Sequence, residues 1–248
     1  ITATPIATDA NPFSGIFDGN QATVIINGIN QPGEEEVGFF GMVQNGALIK
    51  DLSLVISGEI RGKSYVGGLV GLNKGDIQNC QVTGDVNGDE YVGGLVGDND
   101  GNLLNCTYNG TVGAVTFGCA GGVAGINNSN GSIESCSARG SVVGGDNAGG
   151  IAGENDHRII NSSSESTVTG VSYCGGAVGI NFGEVQNCCA KGNVLSSGES
   201  CGGFAGSNDE FIQNCYATGS ATGIGNNTGA FAGSNHDRIF NCYATGNV

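Results

Sequence analysis

The chain has 248 residues and a net charge of −15, from 23 acidic and only eight basic residues. Nucleic acids and anionic membranes are poor partners for such a chain, because both are bound through clustered Lys and Arg side chains. No run of about 20 apolar residues is present, so the sequence predicts no membrane insertion. With 48 glycines and no tryptophan, the core must be thin. Its stability is expected to come from stacked backbone hydrogen bonds and small, closely packed side chains.

The first 36 residues differ from the rest of the chain. They hold all three prolines, Pro5, Pro12 and Pro32, and a segment at 13–19 with two phenylalanines. We predict that residues 1–36 form an N-terminal cap, because the open end of a stack of strands invites aggregation unless it is covered. The chain begins with Ile1 without a signal peptide and ends midway through a repeat, so we expect it to be a fragment of a larger protein.

Residues 37–248 repeat one short phrase, which reads Val-Gly-Gly-Leu-Val-Gly at 66–71. A degenerate first copy begins at Val37. In the other seven copies the first glycine recurs every 26 to 28 residues, at Gly67, Gly93, Gly121, Gly149, Gly175, Gly202 and Gly229. This period, with no helical pattern, is typical of a solenoid in which each repeat makes one coil. We predict an all-β, right-handed parallel β-helix of about eight coils, with residues 37–248 as one continuous domain.

Within each repeat, small or apolar residues alternate with polar ones, which predicts half-buried strands. Equivalent residues of successive coils would lie about 4.8 Å apart, one above the other, so each position of the repeat forms a column. Four apolar columns, which begin at Leu69, Ile77, Val82 and Val86, are predicted to build a narrow core.

An asparagine follows every glycine phrase, at Asn73, Asn99, Asn127, Asn155, Asn181, Asn208 and Asn235. We predict that these asparagines pass side-chain hydrogen bonds from coil to coil and supply the left-handed backbone of a tight corner. The alternative is a row of calcium ligands, suggested by Asp98 and Asp100, but the other repeats lack those carboxylates. We therefore expect no cofactor, and only an adventitious calcium ion stays open as an alternative.

Six of the ten cysteines form one inward column in which Ser162 takes a seventh place: Cys80, Cys106, Cys136, Cys188, Cys215 and Cys242. We predict free thiols there that act as compact apolar groups, because parallel Cβ vectors on neighbouring coils would strain a disulfide. Cys174 and Cys201 share a different column on adjacent coils. They are the predicted pair if any disulfide forms.

The polar residues of the strand that follows Cys80 predict a flat, outward face. Hydroxyls and amides at a regular spacing could hydrogen-bond a glycan, a protein strand or an ice lattice, and a merely solvated face is the simplest interpretation. Arg139, Glu165 and Lys191 alternate in charge along this face and are expected to form ion pairs across strands. The candidate binding residues are Gln81, Thr83, Asp85, Thr107, Asn109, Thr111, Ser137, Ser141, Tyr216, Thr218, Tyr243 and Thr245.

The sequence shows no catalytic constellation. His157 and His236 lie three repeats apart, and neither belongs to a His-Glu-x-x-His zinc motif. Paired carboxylates, as in the polysaccharide lyases and hydrolases built on parallel β-coils, need a cleft. Coils of nearly equal length leave no insertion to build one. We predict no enzymatic activity, with a carbohydrate-active enzyme as one alternative and a purely structural spacer as another.

The repeat resembles the GLUG repeat, which is named for its Gly-Leu-x-Gly core. The resemblance is carried by Gly-Gly-Leu-Val-Gly, the asparagine that follows it, and Ile-Gln-Asn-Cys-Gln-Val-Thr-Gly at 77–84. It implies a bacterial, secreted or surface-exposed protein, since similar repeats occur in large adhesins and in the non-catalytic region of immunoglobulin A metallopeptidases. It implies no catalytic residues. We therefore expect an extracellular, adhesin-like module that projects, or binds a glycan or protein of a host or neighbouring cell.

Overall fold

The computed structural model describes residues 4–115 and 118–248, and within them all regular secondary structure is β-strand. The strands form three sheets, and every pairing between strands in these sheets is parallel. One sheet has eight strands, one from each turn of the chain. The protein is therefore a β-solenoid of about eight turns, as the repeat predicted.

Sheet 1 is the largest, with 20 strands from all the turns. In chain order its strands are Ile16–Ile26, Ile29–Asn30, Leu48–Arg61, Asp76–Gln78, Gln81–Gly88, Asn102–Leu104, Thr107–Ala114, Ser132–Glu134, Ser137–Val143, Arg158–Ile160, Ser163–Ser164, Thr167–Gly170, Glu184–Gln186, Cys189–Ala190, Val194–Ser196, Phe211–Gln213, Tyr216–Ala217, Ala221–Gly223, Ile239–Phe240 and Tyr243–Ala244.

Sheets 2 and 3 complete the turns, except that the first turn has no strand in sheet 3. Sheet 2 consists of Phe40–Val43, Val70–Asn73, Val96–Asn99, Ala124–Asn127, Ala152–Asn155, Val178–Asn181, Ala205–Asn208 and Ala232–Asn235. Sheet 3 consists of Ser64–Gly67, Glu90–Gly93, Ala120–Gly121, Ala148–Gly149, Cys174–Gly175, Cys201–Gly202 and Thr228–Gly229.

The register pairs each residue with its equivalent in the next repeat. Val96, for example, pairs with Val70 on one side and with Ala124 on the other. From residue 64 onwards, differences in length between repeats are absorbed outside the paired strands, so the columns predicted from the sequence are continuous. Their inward members form one core, in which Leu69, Ile77 and Val82 are fully buried.

The first glycine of each phrase lets sheets 2 and 3 turn sharply into one another. A Cβ atom on Gly121 would lie 1.8 Å from the carbonyl oxygen of Ala124 and 2.8 Å from the backbone nitrogen of Gly153. No side chain fits at such distances, so the backbone requires glycine here.

The N-terminal segment extends the end of the solenoid. Its strand Ile16–Ile26 pairs in parallel with Leu48–Arg61, and Ile16 lies opposite Leu48. The rings of Phe13, Phe17 and Phe39 surround that of Phe40, with centroids 5.2 to 5.3 Å from it. The segment that we predicted as a cap therefore adds two strands, Ile16–Ile26 and Ile29–Asn30, to sheet 1 and packs aromatic side chains against this end of the core.

Candidate functional site

The predicted binding residues lie side by side on the outward face of sheet 1, which we call the polar face. Parallel pairing places Thr107 between Gln81 and Ser137, and Tyr216 beside Tyr243. Five of the twelve are half-buried, and they are Thr83, Thr107, Ser137, Ser141 and Tyr216. The other seven are exposed, and they are Gln81, Asp85, Asn109, Thr111, Thr218, Tyr243 and Thr245.

The charged residues in the middle of the polar face form a row of ion pairs. Arg139 Nε lies 3.0 Å from Glu165 Oε2, and Lys191 Nζ lies 3.1 Å from Glu165 Oε1. The predicted pairing across strands is confirmed. The hydrogen bond from Lys191, with the charges of Lys191 and Arg139, lowers the pKa of Glu165. Because these side chains are exposed, they shape the charge of the face more than its stability.

An aromatic pair lies at the C-terminal end of the polar face. The rings of Tyr216 and Tyr243 are stacked, with centroids 5.3 Å apart and planes 7° apart. Tyr243 is 57% exposed. The polar face therefore has amides, hydroxyls and Asp85 at its N-terminal end, opposite charges in the middle and aromatic rings at its C-terminal end.

A buried ladder of asparagines runs through the solenoid beneath the turns. Nδ2 of each asparagine donates to Oδ1 of the next, from Asn73 to Asn235, over distances of 2.7 to 2.9 Å. Most of these amides also bond to their own turn, as Asn73 Nδ2 does to the carbonyl oxygen of Gly75 at 3.1 Å. Six of the seven side chains are completely buried. The ladder thus fixes the turns relative to one another.

The left-handed corner that we assigned to these asparagines belongs to a different column. Asn79 has a φ of 54°, and its equivalents share this conformation: Asp51, Asn105, Ser135, Asn161, Asn187, Asn214 and Asn241, with φ between 50° and 55°. Asparagine adopts this region more readily than most residues. The signal was present in the sequence, as the asparagine that precedes most of the column cysteines.

The cysteine column is hydrogen-bonded, a feature that our prediction of compact apolar groups did not include. Cys188 Sγ accepts from the backbone nitrogen of Ser162 at 3.4 Å and donates to the carbonyl oxygen of Gln186 at 3.1 Å. Ser162 Oγ does the same, accepting from Cys136 N and donating to Ile160 O. Cys215 and Cys242 likewise both accept and donate, so a serine hydroxyl can take the place of a thiol in this part of the column. All ten cysteines of the chain are free thiols in this structure.

Cys174 and Cys201 pair in register on adjacent strands of sheet 3. Both side chains are buried. Burial raises the pKa of the Cys174 thiol to about 12 and also raises the pKa of Cys201. Both sulfurs are therefore held as thiols near neutral pH, where they are weak nucleophiles.

A cavity lies away from the polar face, at the N-terminal end. It measures about 710 Å³, and its acidic lining residues are Asp9, Glu34, Glu35 and Glu36. We expected no cleft because the coils carry no insertions, and this cavity lies instead in the N-terminal segment, whose residues between 4 and 36 supply its lining. Burial, together with the charges of Asp9 and Glu35, raises the pKa of Glu36.

Asp98 is an unusually buried carboxylate at the end of a sheet 2 strand, with only 8% of its surface exposed. Burial raises its pKa to about 6, and Asn128 Nδ2 lies 3.5 Å from its Oδ1. The neighbouring Asp100 accepts a hydrogen bond from Asn130 at 2.8 Å. Asparagines of the next turn thus contact both acids.

The two histidines lie in separate turns with separate partners. His157 Nδ1 lies 3.0 Å from the carbonyl oxygen of Gly131, and His236 Nδ1 lies 2.9 Å from Asp209 Oδ1. In the described ranges, 4–115 and 118–248, no three His, Cys, Asp or Glu side chains gather in a way that could hold a metal ion. Nothing helical in the same ranges could serve as a membrane span.

Comparison with known proteins agrees with the resemblance. The family description of the GLUG motif matches residues 62–87, which include the sheet 3 strand Ser64–Gly67, the sheet 2 strand Val70–Asn73 and most of Gln81–Gly88. No curated protein and no solved structure matches the chain. The matched segment makes one turn of the solenoid, and the other turns repeat its register. The chain therefore contains the GLUG motif, at residues 62–87, within a β-solenoid of about eight turns.

Proposed function

We propose that this protein is a non-catalytic, adhesin-like module of a bacterial secreted or cell-surface protein. It binds a glycan or protein of a host or neighbouring cell through the polar face. The observation that carries the proposal is the register of sheet 1, which aligns the candidate residues along one continuous, solvent-facing surface.

Rigidity makes such a surface suitable for binding. The parallel pairing fixes the backbone of the polar face, and the asparagine ladder fixes the turns relative to one another, so little backbone entropy is lost when a ligand is bound. Equivalent donors and acceptors recur about every 4.8 Å along the solenoid. A regular spacing of this kind suits an extended polymer, such as a glycan chain or a peptide strand, better than a small compact ligand.

The composition and the motif support the proposed location. A net charge of −15 favours solubility and disfavours nucleic acid as a partner. The GLUG motif supports a bacterial surface protein, because that is where similar repeats occur. A purely structural spacer that binds no ligand is the simpler alternative.

An array of glycans and extracellular matrix proteins, probed with the whole chain, tests the proposal. We expect specific binding that is lost when Asn109, Thr218 and Tyr243 are replaced together by Ala. A matched control replaces three exposed residues away from the polar face, Asn130, Phe182 and Asn226, by Ala and should keep the binding. Absence of binding to every ligand on the array would favour the spacer, and loss of binding in both variants would contradict a role for the polar face.

A carbohydrate-active enzyme is the second candidate, and one observation favours it. The cavity of about 710 Å³ gathers four carboxylates, and paired carboxylates perform general acid and base chemistry on glycosidic bonds. Incubation with a panel of polysaccharides, followed by assay of new reducing ends, tests this candidate. Turnover that disappears in Glu35→Gln but persists in Glu165→Gln, on the polar face, would establish the enzyme and overturn the non-catalytic proposal.

A further inference from the structure

One turn in the middle of the solenoid has a polar core. Ser162, Ser164 and Ser166 all point inward and are 2%, 0% and 1% exposed. In each other turn from residue 80 onwards the same three columns carry a cysteine, an apolar residue and a glycine, as in Cys136, Ala138 and Gly140. This turn therefore buries three hydroxyl groups where its neighbours bury a thiol and hydrocarbon.

The three hydroxyls differ in their hydrogen bonds. Ser162 Oγ accepts from Cys136 N at 3.1 Å and donates to Ile160 O at 2.8 Å. Ser164 Oγ accepts from Ser166 N at 3.2 Å. Ser166 Oγ is buried without any hydrogen-bond partner among the described residues. A buried hydroxyl in this state destabilises the folded turn, because it has lost its bonds to water and gained none in return.

The next turn has the smallest apolar side chains of the core. Ala177 and Ala190 occupy the two columns that begin at Leu69 and Val82. Every other turn places at least one larger side chain in these two columns, such as Tyr108, Ile151 or Phe204. Smaller side chains bury less apolar surface, so this turn contributes less hydrophobic stabilisation.

We propose that residues 148–194, which we call the central turns, are the place where the solenoid opens first. In a solenoid each repeat contacts only its neighbours, so local stability follows the local core and the weakest turns open without the rest. The three buried serines and the two alanines lie on consecutive turns, so both lower the stability of the same part of the solenoid. Opening at the central turns divides the solenoid into an N-terminal part, whose core contains Phe40 and Tyr108, and a C-terminal part that contains Phe204.

Hydrogen exchange of the whole chain, followed by mass spectrometry, tests this inference. The segment 163–170 should exchange at least about tenfold faster than its equivalent 107–114, two turns earlier. Ser166→Ala removes only the hydroxyl without a partner and should slow exchange of the central turns by about tenfold. Ser162→Ala is the matched control, since it removes a hydroxyl with two hydrogen bonds and should accelerate exchange by a similar factor.

Two results would overturn the inference. The first is exchange of 163–170 as slow as that of 107–114 in the unmodified chain. The second is faster exchange in Ser166→Ala, which would mean that this hydroxyl stabilises the turn. If Ser162→Ala fails to fold, the direction in which Ser166→Ala changes the exchange rate of the central turns still tests the inference.

Discussion

Asn127 shows how a single buried side chain holds several turns together. Its Nδ2 donates to Asn155 and to the carbonyl oxygen of Gly131, and its Oδ1 accepts from Asn99. Asn127→Ala removes these three buried hydrogen bonds and leaves Asn155 Oδ1 without its donor, so we expect the free energy of unfolding to fall by about 3 kcal/mol. Asn102→Ala removes an exposed amide that bonds to Asp76 and should cost less than about 1 kcal/mol. Urea denaturation measures both, and equal costs would contradict a structural role for the ladder.

The cysteine column makes a chemical prediction. Cys188→Ser keeps a small side chain that donates and accepts, as Ser162 does, and should change the free energy of unfolding by less than about 1 kcal/mol. Cys188→Ala leaves Ser162 N and Gln186 O without the bonds that they make to Sγ. We expect it to cost about 1 to 3 kcal/mol. Thermal unfolding in the presence of a reductant compares the two variants. Equal stability of both would mean that the column only requires small size.

Asp98 links stability to pH. Its pKa is about 6 in the folded protein against an ordinary value of 3.8, so the folded state binds the proton more tightly than the unfolded state. The contribution of Asp98 to the free energy of unfolding is therefore fully present below about pH 4 and is lost as the pH rises through 6. The total loss is at most about 3 kcal/mol. Burial also raises the pKa of Glu154 and of Asp156. The pKa of Asp18, which is paired with Lys50, and that of Glu165 are lowered, so these two carboxylates change stability in the opposite direction.

Asp98→Asn isolates the contribution of this carboxylate. We expect the variant to be more stable than the unmodified chain at pH 7. Its free energy of unfolding should also change less between pH 4 and pH 6. Asp100→Asn removes one negative charge two residues further along and serves as the control. Denaturant unfolding at several pH values gives the comparison, and an unchanged pH dependence in Asp98→Asn would exclude Asp98 as its source.

At the scale of the strand, the glycine phrase sets how closely sheets 2 and 3 approach. Gly121→Ala would place Cβ 1.8 Å from the carbonyl oxygen of Ala124, so the two sheets would have to separate. We expect a loss of more than about 3 kcal/mol or failure to fold. Gly33→Ala meets no atom within 4 Å and should be neutral within about 0.5 kcal/mol. Circular dichroism during thermal unfolding distinguishes the two, and a stable Gly121→Ala protein would contradict the close approach.

The strands and their register could be predicted from the sequence because the repeat preserves both the alternation and the spacing. Ile77, Val82 and Val86 lie in their predicted buried columns, and Arg139 pairs with Glu165 as expected. The left-handed corner at Asn79 was assigned to the wrong asparagine, because both asparagine columns recur equally well and composition does not distinguish their backbone conformations. The bonds of the cysteine column depend on where the strand turns, which alternation alone does not reveal. The acidic cavity was missed since it involves the N-terminal segment, which lies outside the repeat.

For the whole molecule, the central claim is that each repeat completes one turn and rests on the turn before it. Both the polar face and the central turns exist only if this stacking is continuous. Thr83, Thr218 and Thr245 belong to one column, in which Thr218 lies five turns from Thr83 and Thr245 lies six.

Distances between spin labels in this column test the claim most directly. Labels introduced through an encoded non-natural amino acid, which avoids the native thiols, would be measured by double electron–electron resonance. The pair at residues 83 and 218 should give roughly 24 Å, and the pair at 83 and 245 should give about 5 Å more, because each turn adds about 4.8 Å. Distances that do not increase with the number of turns, as expected for separate hairpins or for blades around a centre, would contradict the solenoid and the polar face that depends on it.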